Sequence, residues 1–253
     1  MTEPPPYVEG HGLLAGKTVV VTAAAGAGIG FATAQRCVEE GATVLLSDKH
    51  ERRLAEAGEA LGMPAIPCDV TDEASVQALM GGAVDRLGRI DVLVNNAGLG
   101  GTAELVDMTD EQWHAVLDVT LNGTFRCTRA VLRHMYERGR GVVVNNASVI
   151  GWRAQAGQAH YAAAKAGVMA FTRSTAMEAA RHGVRVNAVA PSLALHPFLA
   201  KVTSEELLEE LTAREAFGRS AEPWEVANVI VFLASDYSSY LTGEVVSVSS
   251  QHP

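Results

Sequence analysis

Residues 18–30 read TVVVTAAAGAGIG, in which a β-branched run leads into a turn rich in alanine and glycine. The run is continuously apolar, as in a parallel strand that is buried on both faces. Ala32, Cys37 and Val38 follow with helical spacing, so the turn joins a strand to a helix. Glycines at such a turn let the backbone approach a pyrophosphate, whose charge the helix N-terminus stabilises. A plain tight turn also uses alternate glycines, and the spacing differs from G-x-G-x-x-G, so this interpretation needs support from the rest of the chain.

The same alternation of short β-branched runs and longer helical segments continues along the chain. Strands are predicted at about 17–22, 43–47, 64–68, 90–95, 141–147, 184–189 and 244–249. Helices are predicted at about 29–40, 50–61, 72–87, 109–138, 158–182 and 222–235. This β-α-β order predicts an α/β fold: a single doubly wound, Rossmann-type parallel sheet of about seven strands, flanked by helices, with right-handed crossovers. Ligands of such sheets bind beyond the carboxyl ends of the strands.

Local signals mark several element boundaries. Thr109 followed by Gln112 predicts a capping box at the start of the fourth helix. Gly41, Gly139 and Gly183 stand where glycines commonly end helices.

The N-terminus and one internal stretch lack these patterns. Residues 1–15 contain the run Pro4-Pro5-Pro6 and show no periodicity, which predicts an N-terminal arm. Residues 16–253 show one composition throughout and are interpreted as a single dinucleotide-binding domain. Within it, the irregular stretch 191–219 has the length of a lid over a site.

Composition and charge argue against several classes of function. A formal net charge of −9 disfavours binding to nucleic acid or to an anionic membrane, because such binding depends on basic clusters. The apolar runs are too short to span a bilayer and the N-terminus lacks the layout of a signal peptide, so we expect a cytoplasmic protein. Cys37, Cys68 and Cys127 are scattered without paired spacing, which predicts small core residues and neither a disulfide framework nor a metal site.

Asp48 lies at the end of the second predicted strand, about twenty residues past the glycine-rich turn. A carboxylate there can accept both ribose hydroxyls of a dinucleotide and would repel a 2′-phosphate, which favours NAD over NADP. The alternative is a solvated turn residue, with Lys49, Arg52 and Arg53 close enough to accommodate a phosphate.

Tyr161 and Lys165 stand four residues apart at the start of a predicted helix, so both side chains project from one face. A free phenol has a pKa of about 10 and is mostly protonated near neutral pH. A neighbouring ammonium favours the phenolate, which predicts a lowered pKa for Tyr161 and a role as acid and base. Ser148, at the end of a strand, is placed to orient the oxygen of an alcohol substrate.

The order of these motifs resembles the short-chain dehydrogenase/reductase family over residues 16–250. The matching stretches are Asp69-Val70, Asn95-Asn96-Ala97-Gly98, Ser148, Tyr161-Ala-Ala-Ala-Lys165 and Asn187-Ala-Val-Ala-Pro191. The resemblance implies an oxidoreductase that moves a hydride between a nicotinamide cofactor and a secondary alcohol or ketone carbon. It also implies a homodimer or homotetramer.

The resemblance further implies a role for individual residues. Asp69 and Val70 would contact the adenine, Asn96 to Gly98 the adenosine ribose region, and Lys165 the nicotinamide ribose. The remaining cofactor contacts implied are Gly26, Gly28, Ile29, Asp48, Tyr161, Ala194 and His196.

Four positions depart from the family pattern. Ala23 follows Thr22 where the family has glycine, and Thr120 replaces an asparagine whose backbone carbonyl serves a proton relay. Thr120 can still supply that carbonyl and is kept as a candidate catalytic residue. His196 falls where a threonine usually binds the carboxamide, and the chain ends in Val248-Ser-Ser-Gln-His-Pro253 instead of the family's aspartate-glycine-glycine.

The segments after the fourth, fifth and sixth strands should enclose the substrate. Trp152, Arg153 and Phe198 are the candidate substrate contacts, and an apolar pocket with a basic rim favours a bulky hydrophobic acid or its coenzyme A (CoA) thioester. The loops and the C-terminus resemble actinobacterial steroid-degradation dehydrogenases that act on hydroxy-indane carboxyl-CoA intermediates. The alternatives are a 3-oxoacyl-thioester reductase that uses NADPH, and a weakly active dinucleotide-binding sensor or scaffold.

Overall fold

In a computed structural model, which describes residues 3–195 and 205–251, the chain forms a parallel sheet with the strand order β3-β2-β1-β4-β5-β6-β7. The strands are β1 (Thr18–Val21), β2 (Thr43–Asp48), β3 (Ala65–Pro67), β4 (Val92–Asn95), β5 (Gly141–Asn146), β6 (Val184–Pro191) and β7 (Val245–Val248). The sheet is the predicted one, so the fold class is confirmed. Since the order reverses between β1 and β4, the carboxyl ends of these two strands flank a crevice of the kind that binds ligands in such folds.

Helices connect the strands and cover the sheet. They are α1 (Ile29–Glu39), α2 (Glu51–Leu61), α3 (Glu73–Leu87), α4 (Asp110–Leu117), α5 (Gly123–Arg138), α6 (Ala159–Ala179), α7 (Glu205–Ala213) and α8 (Pro223–Ala234). Within the described residues, no helix is long and apolar enough to cross a membrane.

Two hydrophobic clusters lie on opposite faces of the sheet, because successive strand residues point to opposite sides. Val19 and Val21 of β1 pack in one cluster with residues of α1 and α8. Val20, between them, packs in the other cluster with residues of α3 and α5. All three cysteines are buried, as the sequence predicted. This double burial explains why the strands read as continuous apolar runs.

The predicted helix 109–138 is helical along its length but is not α-helical throughout. A π-helical turn, Asp118–Asn122, separates α4 from α5. The predicted capping box of Thr109 and Gln112 is present at the start of α4, and Gly41, Gly139 and Gly183 all have the left-handed φ that suits a helix end.

The described N-terminal residues 3–12 form no regular secondary structure and are exposed, but they are anchored to α1. Glu40, fully buried, accepts hydrogen bonds from the backbone N–H groups of His11 and Leu13, both 2.9 Å, and pairs with Arg36. Burial acts to raise the pKa of Glu40, but these N–H groups and the guanidinium outweigh it and hold the pKa below its usual range. Leu14, within the predicted arm, is fully buried and belongs to the core.

Candidate active site

The carboxyl ends of β5 and β6 bring Ser148 against Pro191. The Ser148 hydroxyl lies 3.5 Å from the Pro191 carbonyl oxygen, to which it donates, and accepts from the backbone N–H of Ile150 at 3.3 Å. The second bond caps a 3-10 turn, Val149–Gly151, that starts right after Ser148. Ser148 is therefore held by backbone groups at the sheet edge where ligands of this fold bind.

Tyr161 and Lys165 come from the first turns of α6, which begins at Ala159. The Lys165 Nζ lies 5.5 Å from the centroid of the Tyr161 ring and donates to the backbone oxygen of Asn146 at 2.6 Å. The Ser148 side chain is close enough to Tyr161 to act on the pKa of its phenol. The fold thus brings together the three residues that the sequence singled out for catalysis.

Burial controls the charges of this cluster. Burial raises the pKa of the Tyr161 phenol, and the nearby Ser148 side chain offsets part of this rise. Burial lowers the pKa of the Lys165 ammonium to about 8. The predicted lowering of the Tyr161 pKa by Lys165 is therefore wrong for the chain alone, because desolvation of the phenolate exceeds the favourable contributions.

Thr120 lies in the π-helical turn and is buried. Its hydroxyl accepts from the backbone N–H of Leu99 at 3.1 Å, and its carbonyl accepts from the Thr124 hydroxyl at 2.8 Å. Asn122 instead bonds Asp118 at 3.0 Å and is exposed, so it does not replace the missing asparagine.

The glycine-rich turn combines one strained residue with an open helix end. Ala23, the residue that replaces the family's glycine, has a φ of 50° and is the non-glycine residue with a positive φ in the described chain. Gly26 has a φ of 101°. A Cβ atom on Gly30 would lie 2.2 Å from the Ala23 carbonyl oxygen, so only glycine allows this approach. Gly28 precedes α1, which starts at Ile29, and provides no side-chain cap.

Asp48 is the last residue of β2 and is only 8% exposed, so it is not the solvated turn residue considered as the alternative. One carboxylate oxygen accepts from the N–H of Ala25 in the glycine-rich turn at 3.3 Å, and the other from the N–H of His50 at 2.9 Å. Each oxygen keeps a lone pair for a further donor.

Asn96 joins the turn to the catalytic strands. Its side-chain amide donates to the Ala23 carbonyl at 3.1 Å and its oxygen accepts from Asn146 at 2.9 Å. Gly98 lies close to Lys165, because a Cβ atom on Gly98 would be 3.5 Å from Nζ.

Asp69 and Val70 follow β3. Asp69 accepts from the backbone N–H and hydroxyl of Thr71, and these bonds hold the pKa of its carboxyl below the usual range. Val70 is buried, and its side chain would be 2.7 Å from a Cβ atom on Gly123.

These features fit a nicotinamide dinucleotide. The uncapped start of α1 leaves N–H groups for a pyrophosphate, and the buried Asp48 carboxylate can accept hydroxyl groups. Between Asn96 and Lys165, the side-chain oxygen of Asn146 is buried without a hydrogen-bond partner. In the described residues, no group of three or more His, Cys, Asp or Glu side chains could hold a metal ion.

The candidate substrate contacts lie after β5 and β6. Trp152 is 51% exposed, so it is not a core residue, and Arg153 bonds Gln251. Ala194 is buried and pairs with Ala221 in an isolated β-bridge. His196 and Phe198 lie outside the described residues.

Sequence reasoning missed Glu215 and Gln251. In the structure these two residues contact each other, and Gln251 also contacts Arg153. Glu215 is 4% exposed and accepts from the Gln251 side-chain amide at 2.8 Å. No sequence motif connects these positions, since their contact depends on how the C-terminus returns to the sheet.

Comparisons with known proteins agree with this geometry. A family model described as enoyl-(acyl carrier protein) reductase matches residues 23–250. The chain is 62% identical over 256 residues to the (5R,7aS)-5-hydroxy-7a-methyl-1-oxo-2,3,5,6,7,7a-hexahydro-1H-indene-carboxyl-CoA reductase of Mycobacterium tuberculosis, with 98% of both chains covered. It is 42% identical over 240 residues to the 3-oxoacyl-(acyl-carrier-protein) reductase FabG of Thermotoga maritima, covering 93% of this chain and 97% of that one. The crystal structure of a short chain dehydrogenase from Mycobacterium smegmatis has a TM-score of 0.89 and 56% identity, with 99% of both chains covered.

Proposed function

The chain belongs to the short-chain dehydrogenase/reductase family, and on that premise we propose that it interconverts a ring alcohol and ketone on a hydrophobic carboxyl-CoA thioester with NAD. Family membership makes it an oxidoreductase that acts on CH–OH with a nicotinamide dinucleotide. The observation that carries the substrate class is the 62% identity to an indene-carboxyl-CoA reductase over 98% of both chains.

In the proposed reaction, Tyr161 gives a proton to the ketone oxygen during reduction or takes one from the alcohol during oxidation. A nicotinamide dinucleotide held along the crevice would supply or take up the hydride for this reaction. Ser148 orients the substrate oxygen from its position beside Tyr161. Lys165 stabilises the phenolate, which burial alone disfavours. Thr120 supplies the carbonyl of the proton relay.

For the cofactor, we propose contacts along the crevice. Gly26, Gly28 and Ile29 would face the pyrophosphate, and Asp48 would accept the adenosine ribose hydroxyls and exclude a 2′-phosphate. The further cofactor contacts of this proposal are Asp69, Val70, Asn96, Gly98, Lys165, Ala194 and His196. Trp152, Arg153 and Phe198 would border the substrate.

A turnover assay tests the proposal. The purified enzyme is given hydroxy- and oxo-indane carboxyl-CoA thioesters with NAD(H) and NADP(H), and acetoacetyl-CoA in parallel. We expect the highest kcat/KM with an indane thioester and NAD(H). Higher kcat/KM for acetoacetyl-CoA with NADPH would instead support the 3-oxoacyl-thioester reductase, the second candidate, which the 42% identity to FabG favours.

The Tyr161→Phe variant is the mechanistic control of that assay. It keeps the ring but loses the proton, so turnover should fall roughly 10²- to 10⁴-fold while the Kd for the dinucleotide changes little. Turnover equal to wild type would refute the role of Tyr161.

A further inference from the structure

The buried Glu215 carboxylate hydrogen-bonds the segment after β6 and the C-terminal residues, and so connects three parts of the chain. It accepts from the backbone N–H of Leu193 at 3.4 Å, from the N–H and hydroxyl of Ser250 at 3.3 and 2.7 Å, and from the Gln251 amide at 2.8 Å. An antiparallel β-bridge also pairs Glu215 with Gln251. A carboxylate only accepts hydrogen bonds, so these donors match its full capacity.

Glu215 fixes the orientation of the Gln251 side chain, and Gln251 in turn holds Arg153. Because the Gln251 Nε2 donates to Glu215, its Oε1 faces the other way and accepts from Arg153 Nη1. The Gln251 backbone oxygen lies 3.5 Å from Arg153 Nη2. Two bonds along one edge hold the planar guanidinium in a defined direction.

Arg153 is close to the catalytic serine. Its backbone N–H donates to the Val149 carbonyl at 2.9 Å, one turn after Ser148. A Cβ atom on Gly151 would lie 3.0 Å from the Ala166 nitrogen, so this turn packs directly on α6, which carries Tyr161. The Arg153 side chain therefore starts from a turn that borders the Ser148 and Tyr161 cluster.

The charge of Arg153 is not neutralised by the residues that hold it. Its partner is the neutral amide of Gln251, and no Arg153 ion pair occurs among the ion pairs of residues 3–195 and 205–251. In a chain with a formal net charge of −9, an oriented guanidinium without an ion-pair partner, on a turn that borders the site, attracts an anion locally. Its remaining N–H donors match the geometry of a phosphate.

We propose that Arg153, Gln251 and Glu215 form an anion subsite that binds a phosphate of the substrate's coenzyme A portion. Arg153 makes the contact, while Gln251 and Glu215 are positioning residues that act through it. This inference rests on the proposed function, because it takes the substrate to be a CoA thioester. Glu215, which reaches Arg153 only through Gln251, would thus affect how strongly the enzyme prefers a CoA thioester over a thioester without phosphates.

Binding of free coenzyme A tests the subsite without turnover. Calorimetry is done on enzyme saturated with NADH, so that the adenosine part of CoA cannot enter the dinucleotide site. Gln251→Ala should weaken the Kd for CoA roughly fivefold, and Arg153→Gln roughly tenfold or more, because a charge-assisted bond is lost or misaligned. Gln251→Glu should weaken it further than Gln251→Ala, since the new carboxylate pairs with Arg153 and faces Glu215.

Arg140→Gln is the matched control, because it removes the same charge just before β5, at the opposite end of the sheet. Its Kd for CoA should equal that of wild type. Thermal unfolding and the Kd for NADH show whether each variant is folded. No CoA binding by wild type at millimolar concentration, or equal Kd values in wild type and both Gln251 variants, overturns the subsite.

Kinetics separate this inference from the proposed function. For the indane CoA thioester, Gln251→Ala should raise KM with little change in kcat. The matching N-acetylcysteamine thioester has no phosphate, so its KM and kcat should both stay unchanged. If the thioesters are turned over but Gln251→Ala affects both equally, the subsite is wrong and the proposed function stands. If no indane thioester is turned over while CoA binding depends on Gln251, the proposed function fails and the anion subsite stands.

Discussion

The Lys165 ammonium group is buried and hydrogen-bonds a backbone carbonyl. Its side chain is almost fully buried, and the Nζ donates to the Asn146 oxygen at 2.6 Å. Desolvation therefore sets its pKa, which falls to about 8. Burial has the opposite effect on Tyr161, whose pKa rises, since it disfavours whichever form is charged. The pair consequently holds its protons less firmly on the amine and more firmly on the phenol than in water.

We expect the Lys165 amine of the free enzyme to titrate near pH 8, well below its ordinary value of 10.5. Between these two values the unfolded chain binds more protons than the folded one, so the free energy of unfolding rises with pH across that interval. Below pH 8 the ammonium is charged in both states and the penalty of its burial is fully present. Side-chain ¹⁵N NMR measures the titration, with the signal identified by its loss in Lys165→Arg. A midpoint at the ordinary value would contradict this prediction.

Asp48 is expected to make NAD the preferred cofactor. Its carboxylate is tied to the N–H groups of Ala25 and His50, so it cannot turn away from a 2′-phosphate without losing both bonds. We expect kcat/KM to be at least roughly tenfold higher with NAD than with NADP, because like charges in contact are strongly unfavourable. Asp48→Ser should narrow that ratio, and Asp85→Ser, which removes an exposed carboxylate of α3, should leave it unchanged. A wild-type preference for NADP would show that the interpretation of Asp48 is wrong.

The glycine-rich turn stores local strain at Ala23. L-residues pay roughly 1–2 kcal/mol for the left-handed region, whereas glycine enters it freely but loses more entropy on folding. We therefore expect Ala23→Gly to raise the free energy of unfolding by about 0.5–1 kcal/mol. The next residue, Ala24, is fully buried, so Ala24→Gly should lower the free energy by about 1 kcal/mol. Urea denaturation measures both, and a destabilised Ala23→Gly variant would contradict the assignment of strain.

At the level of elements, the sequence predicts the regular strands and helices well. It predicts poorly the places where contacts with distant segments interrupt them. The central strands β1, β2, β4, β5 and β6 were predictable because they are buried on two faces and read as largely apolar runs. The π-helical turn at Asp118–Asn122 was not, since the helical pattern continues through it and its contact, the Thr120 hydroxyl on the Leu99 N–H, joins distant segments. Helix α7 lies inside the stretch 191–219 that was interpreted as an irregular lid, and gating by this stretch stays a prediction.

At the level of the molecule, the proximity of the proposed catalytic residues could be predicted from the sequence, and the contacts that hold Arg153 could not. Ser148, Tyr161 and Lys165 were found because their chemistry and spacing are specific. Glu215 and Gln251 carry no such signal, because a buried carboxylate and an amide become informative only when the chain returns to place them behind Arg153.

Assembly into a homodimer or homotetramer also stays a prediction. Helices α5 and α6 expose Phe125 and Met177, with 40% and 73% of their surface accessible. Phe125 packs edge-on against Phe171 of α6, so the two helices share one partly apolar surface. Light scattering at micromolar concentration measures the state, and a monomer would refute the prediction.

The N-terminal arm is expected to stabilise the fold without taking part in catalysis. Tyr7 donates to Glu39 at 2.6 Å and packs edge-on against Trp224, while the Val8 carbonyl accepts from the buried Arg36 at 2.6 Å. Deleting residues 2–9 leaves Arg36 with one acceptor fewer, so the free energy of unfolding should fall by about 1–3 kcal/mol.

The expected effect is limited to stability because of where the arm binds. It contacts the C-terminal half of α1 and the start of α8, whereas the glycine-rich turn lies at the opposite end of α1. Urea denaturation of the deletion variant gives its stability, and kcat/KM with saturating dinucleotide gives its activity, which should match wild type. Tyr7→Phe is the matched control: it keeps the ring contact with Trp224 and loses only the exposed hydroxyl bond, which should change stability by less than about 0.5 kcal/mol. An unchanged free energy of unfolding in the deletion variant would mean that the arm contacts contribute nothing, and a loss of activity in a folded variant would mean that the arm reaches the site.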